Sequence, residues 1–229
     1  MLMFRISSVC LALIASAQCL AAESFQNKPF TIEADRFLIA DERNRLASLE
    51  PREERLVPQV VINDRPMLLL IGGIEAAEGY GSISNSSPIR PAKPVVQMTI
   101  QEVLQFQEEM RNSGAASTAM GRYQFIQGTL AELVIENRVD PLDLFDRRMQ
   151  DYLARMKMKD CGFYDERESV ENLGNCLARV WAALPVLTGE KKGKSYYHGI
   201  AGNRALVDRI TVSAVLEHRF ETEMVLATR

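Results

Sequence analysis

Two glutamates, Glu75 and Glu78, close a stretch that is otherwise oily. Met67, Leu68, Leu70, Ile71 and Ile74 make Met67 to Glu78 read as a helix with a buried face, and Gly79-Tyr80-Gly81 supplies its stop. A carboxyl at a helix C-terminus meets the negative end of the helix dipole. Apolar neighbours penalise its charge further. Both effects push the carboxyl towards its protonated form near neutral pH, the state a general acid needs. Glu78, the last residue of the predicted helix, is the leading candidate, and a solvated helix end is its competing reading. Glu75, one turn earlier, is the fallback and otherwise helix surface.

A second cluster runs from Ser117 to Gln127, Ser-Thr-Ala-Met-Gly-Arg-Tyr-Gln-Phe-Ile-Gln. Small polar residues lead to a turn at Gly121, and the apolar pair Phe125-Ile126 must go inside. As plain structure this is a loop entering a helix. As chemistry it is a cleft wall, with Tyr123 and Gln124 offering hydrogen-bonding groups to a polar ligand and Arg122 bracing the loop. Between the two clusters, from Gly79 through Gln101, the chain has no Asp or Glu.

The elements that must position these residues are mostly helical. Ser82 to Gln97 is rich in Ser, Asn and Pro and reads as an irregular lip or short hairpin. Thr99 to Glu102 is a capping box opening a helix that ends near Asn112 to Gly114. Further helices are predicted near Thr129 to Glu136, from Asp143 to Lys157, and from a Ser169 cap to Leu184. The last has a clear buried face in Leu173, Leu177, Val180, Trp181 and Leu184. Two final helices are expected between Asn203 and Ala227. Phe25 to Pro66, broken by prolines at 51, 58 and 66, reads as an extension or linker with a loose strand at Thr31 to Ala40. The expected fold class is mainly α with a small irregular or hairpin lobe.

Met1 to Arg5 carries a positive charge, Ile6 to Ile14 is mostly apolar, and Ala15 to Ala22 is rich in small residues, the pattern of a cleavable signal over residues 1–21. A periplasmic or secreted location follows, with no membrane span. Cys161 and Cys176 are the cysteines left after the signal. In an exported chain they invite a disulfide, against two buried thiols or a metal site. Without a nearby histidine they make a poor zinc site, and no cofactor or metal is expected. The net charge of −3, from 27 basic and 30 acidic residues without a basic stripe, argues against nucleic acid as a partner.

Four segments together resemble the bacteriophage lambda endolysin family, lysozyme-like lytic transglycosylases of peptidoglycan. Ala77-Glu78-Gly79 is similar to the family's Ser-Glu-Gly at the end of its first core helix. Ser117-Thr-Ala-Met-Gly-Arg-Tyr-Gln124 matches its Ser-Thr-Gly-Ala-Gly-Arg-Tyr-Gln loop at six of eight positions. Phe145-Asp-Arg-Arg-Met-Gln-Asp151 resembles Phe-x-Pro-x-x-Gln-Asp without the proline, and Trp181-Ala-Ala-Leu-Pro185 resembles Trp-Ala-Ser-Leu-Pro. The order is the family's, over Met67 to Ile210. The chain departs by inserting Val186 to Lys194 after Pro185, by its Phe25 to Pro66 extension, and by a signal that phage members lack.

The resemblance implies an α+β lysozyme-like domain over residues 67–229 with a glycan-binding cleft. It implies cleavage of the MurNAc–GlcNAc β-1,4 bond with formation of 1,6-anhydro-MurNAc, Glu78 acting as acid and then base. Ser117, Tyr123, Gln124 and one or both of Tyr196 and Tyr197 would line the substrate, Tyr196 being preferred by its spacing to Leu206. The absence of a second carboxylate after the acid helix agrees, since hydrolases of this type use a pair. A hydrolytic muramidase and a non-catalytic peptidoglycan-binding or assembly factor are the alternatives. The implied partners are glycan strands and, beyond them, a cell-envelope machine.

Overall fold

The computed structural model describes residues 56–76, 78–200 and 202–226, and the predicted signal and the Thr31 to Ala40 strand lie outside them. Those residues form a mainly α structure with a small β element: six α-helices, two single 3-10 turns and one two-stranded antiparallel sheet. No helix among the described residues is long and apolar enough to cross a membrane.

Strand β1 (Leu56–Ile62) pairs with β2 (Phe220–Leu226), Leu56 opposite Leu226 and Ile62 opposite Phe220. Two expectations change here. The end of the predicted extension is a strand, its alternate residues free to pair because Pro58 sits where no ladder N–H is needed. The predicted pair of C-terminal helices is one helix, α6 (Arg209–Glu217), followed by β2. Short-range pattern left Phe220 to Leu226 open to either state, and pairing with a distant segment decided it.

Helix α1 (Arg65–Glu75) has Pro66 in its first turn, which its fixed φ suits. Asp64 precedes it, but its carboxylate makes no cap bond. It accepts instead from Arg155 Nε at 2.8 Å and the Tyr164 hydroxyl at 3.0 Å, anchoring α1 to α4 (Arg147–Asp160). Met67, Leu68 and Ile71 fill the core. The helix ends at Glu75, three residues short of the predicted end, because Ala76 turns extended (φ −141°, ψ 98°). Gly79, left-handed at φ 70°, closes the turn by donating to the Ala76 carbonyl at 3.1 Å.

Thr99 caps α2 (Ile100–Asn112) by a reciprocal box: Glu102 N–H donates to Thr99 Oγ1 at 3.2 Å and Thr99 N–H to Glu102 Oε2 at 2.7 Å. Helix α3 (Gln127–Glu136) follows the Ser117 to Phe125 loop. Ser169 caps α5 (Val170–Val180) by accepting from Asn172 N–H at 3.1 Å. That helix ends four residues before the predicted Leu184, and Trp181 to Leu184 form a separate turn. Leu173, Leu177, Trp181 and Leu184 are nevertheless all buried. Burying three leucines and a tryptophan is worth roughly 1.5–3 kcal/mol per side chain before chain entropy is counted. Cys161 at the end of α4 and Cys176 on α5 form a disulfide, their Cα atoms 5.6 Å apart.

Candidate active site

The lobe between α1 and α2 meets the Ser117 to Phe125 loop through short β contacts. Ser84 N–H donates to the Ala119 carbonyl at 2.9 Å, Gly121 N–H to the Ser82 carbonyl at 2.8 Å, and Ile83 pairs with Met120. The turn needs Gly121, which has φ 77° and where a Cβ would lie 2.6 Å from Gln150 Oε1.

Two fully buried glutamines hold this loop by its backbone. Gln107 Nε2 donates to the Thr118 and Phe125 carbonyls, both at 2.8 Å. Gln150 Oε1 accepts from Arg122 N–H at 2.8 Å, while its Nε2 donates to the Tyr80 and Phe145 carbonyls at 3.1 and 2.9 Å. Trp181 Nε1–H reaches the Tyr123 carbonyl at 3.2 Å. Three segments distant in sequence thus converge on one loop, and the tryptophan serves as a buried anchor.

Tyr123 lies inside this construction at 2% exposure. Its hydroxyl donates to Asp151 Oδ1 at 2.6 Å, and the Tyr80 hydroxyl donates to the same oxygen at 2.8 Å. Burial first, and then the Asp151 bond, raise both phenols above their ordinary pKa. Gln124 stands at φ 48° and donates from Nε2 to the Gly121 carbonyl at 2.8 Å. Ser117 N–H donates to Ser86 Oγ, and Ser117 Oγ accepts from Ala119 N–H. The Tyr123 hydroxyl expected at an open cleft wall is instead bonded inside the protein. Ser117 and Gln124 face partly outward but use their polar atoms to shape the loop. Arg122 lies along Gly72, where a Cβ would overlap its guanidinium, and sits 5.1 Å from the Tyr80 ring centre. The notch at Gly72 admits this side chain.

The two glutamates separate clearly. Glu78 is exposed on the turn beyond α1, outside the apolar setting expected of it, because the helix stops before reaching it. Glu75 shares the face of Leu68 and Ile71, seven and four residues earlier, and is half-buried. Ala183 N–H donates to its Oε1 at 3.0 Å. Desolvation raises the Glu75 carboxyl above the usual carboxylate range, opposed in smaller measure by the Ala183 bond. The properties expected of Glu78 belong to Glu75. Its i+4 and i+7 spacing from the buried residues was the available signal, masked because Glu78 would also join that face in a longer helix.

Tyr196 and Tyr197 are half-buried and in edge-to-face contact at 5.1 Å. Tyr197 donates to the Arg179 carbonyl at 2.7 Å. Tyr196 lines a cavity of about 190 Å3 with residues of α5 and of the hairpin that follows Pro185. A second cavity, about 320 Å3, lies between Pro91 and α2. Neither includes Glu75, Glu78 or Gln124.

Comparison of the chain with family models, curated proteins and solved structures finds no match.

Proposed function

We propose that the protein is an exported, lysozyme-like peptidoglycan lytic transglycosylase whose acid and base is Glu75. The observation that carries this reading is the Glu75 carboxyl itself: half-buried, biased towards its neutral form, and held by one backbone N–H from the Trp181 to Pro185 turn. Two of the four segments that carry the family resemblance supply that turn and the loop beneath it.

The chemistry follows from the hydrogen-bond pattern. In the neutral acid, Oε1 accepts from Ala183 N–H while the other oxygen carries the proton, free to protonate the glycosidic oxygen as the C1–O bond breaks. The carboxylate left behind keeps the Ala183 bond, which stabilises its charge. It then removes the proton from the C6 hydroxyl of the same sugar as that oxygen closes on C1. The 1,6-anhydro product forms and the carboxyl is protonated again, so the cycle needs no second carboxylate and no water. The lobe from Gly79 to Gln101 offers none.

The test is digestion of purified sacculi with product masses read directly. Glu75→Gln is expected to lower release by about a thousandfold, the span of a lost general acid, while Glu78→Gln retains activity. A fully active Glu75→Gln variant ends the assignment. A product heavier by one water marks hydrolysis instead. One observation favours a second reading, a glycan-binding factor without turnover: the side chains of Tyr123 and Gln124 are committed to internal bonds. Binding of strands by the wild type with no release of any product would select it.

A further inference from the structure

The hairpin after Pro185 carries cations that no carboxylate among the described residues neutralises. Val186 N–H donates to the Lys194 carbonyl and Gly193 N–H to the Val186 carbonyl, both at 2.8 Å, and Pro185 pairs with Ser195. Asn175 on α5 fastens the base of the hairpin, accepting from Leu187 N–H at 2.8 Å and Thr188 N–H at 3.2 Å. The hairpin is thus a fixed platform rather than a loose insertion. On it, Lys191 Nζ sits 4.8 Å from the Tyr196 ring centre and Arg179 of α5 sits 5.3 Å from it. Lys191 donates once, to the Tyr196 carbonyl. Among the described residues neither cation forms a salt bridge.

These groups line the cavity of about 190 Å3 together with Val186, Thr188 and Glu190. Two cations without a salt-bridge partner, against the one carboxylate of Glu190, leave a single positive excess, and the Val186 side chain and Tyr196 ring add apolar wall. That combination suits a short aliphatic chain ending in a carboxylate, and it is too weakly charged and too small for a polyphosphate or nucleic-acid backbone. The pocket is joined to the candidate acid through the turn that follows α5. Ala183, which holds Glu75, is two residues before Pro185, and chain geometry places Tyr196 no more than about 16 Å from it.

We infer that the pocket of Arg179, Lys191 and Tyr196 binds a carboxylate of the peptides borne by the glycan strand, so that the protein prefers peptide-bearing strands to bare ones. The inference rests on the glycan reading above. Arg179 and Lys191 are both exposed, so the double variant Arg179→Ala/Lys191→Ala keeps its fold. The full chain is assayed on intact sacculi and on the same glycan stripped of peptides by an amidase, and separately titrated with an acetylated acidic tripeptide. Wild type is expected to prefer intact sacculi, with the double variant losing that preference and binding the tripeptide about tenfold more weakly, as for a lost charge-assisted contact. A variant that keeps both preference and tripeptide affinity overturns the inference. If no wall material is bound or cleaved but tripeptide affinity still falls in the variant, the pocket stands and the glycan reading fails. Displacement of the tripeptide by inorganic phosphate at equal concentration likewise overturns it, since the pocket would then take any small anion.

Discussion

The loop from Ser117 to Phe125 and the hairpin from Val186 to Ser195 are both held by side-chain amides, yet they differ in what they leave over. In the first, Gln107, Gln150 and Trp181 occupy the backbone, Asp151 occupies Tyr123, and Gln124 folds back on Gly121. In the second, Asn175 fastens the backbone while Arg179 and Lys191 keep most of their donors unused. A loop rich in hydrogen-bonding residues can therefore be entirely structural. Binding capacity is better sought where polar groups remain after the internal ones are paired, because an unpaired buried donor is costly and an unpaired exposed one is not.

That contrast can be broken or sharpened by variants. Gly121→Val should be the most damaging, since it combines a left-handed backbone with overlap against Gln150 and Phe145, and a loss of about 4 kcal/mol in urea unfolding is expected. Cys161→Ser sits outside both loops and serves as a yardstick, with a loss of about 3 kcal/mol for a ring of 15 residues. Gln150→Leu leaves Arg122 N–H and two carbonyls without their partner, and about 2 kcal/mol should be lost. If it costs nothing, the loop is not held as described. The double variant Arg179→Ala/Lys191→Ala should change stability by less than about 0.5 kcal/mol, because exposed surface contacts of this kind contribute little.

Glu75 gives the opposite sign. Its folded pKa lies above the unfolded value, so its contribution to stability is fully present below the unfolded pKa and is lost as pH rises through the folded one. Glu75→Gln, which keeps an acceptor for Ala183 N–H, should therefore melt higher than wild type at pH 7. The gap should close on acidification, when wild type is neutral as well. In activity the dependence runs the same way, and turnover should fall as pH rises through the Glu75 titration. A gap that widens in acid would show the carboxylate to be favoured in the fold.

Much of the framework was legible locally. The Thr99 to Glu102 box, the Ser169 cap and the Leu173 to Leu184 stripe depend on residues three to eleven positions apart, and all three appear. The disulfide expected of Cys161 and Cys176 forms, their Cα atoms being close enough to bridge. The candidate acid was harder. One turn of helix separates Glu75 from Glu78, and the choice turned on where α1 stops. Nothing within Met67 to Gly81 says that Ala183, more than a hundred residues on, will take Glu75 at the helix end. Tyr123 misled for a related reason, since a tyrosine flanked by polar residues looks exposed until Asp151 of α4 is brought to its hydroxyl.

By itself the sequence determined the helices with caps and apolar stripes and the turn at Gly121. These rest on backbone sterics and short-range hydrogen bonds that neighbours in the chain can satisfy. Only the tertiary structure decided that α1 ends at Glu75, that Phe220 to Leu226 is a strand, that Tyr123 is spent on Asp151, and that Arg179 and Lys191 converge on Tyr196. Each depends on a partner far along the chain, and desolvation and pairing are properties of that meeting rather than of either residue alone.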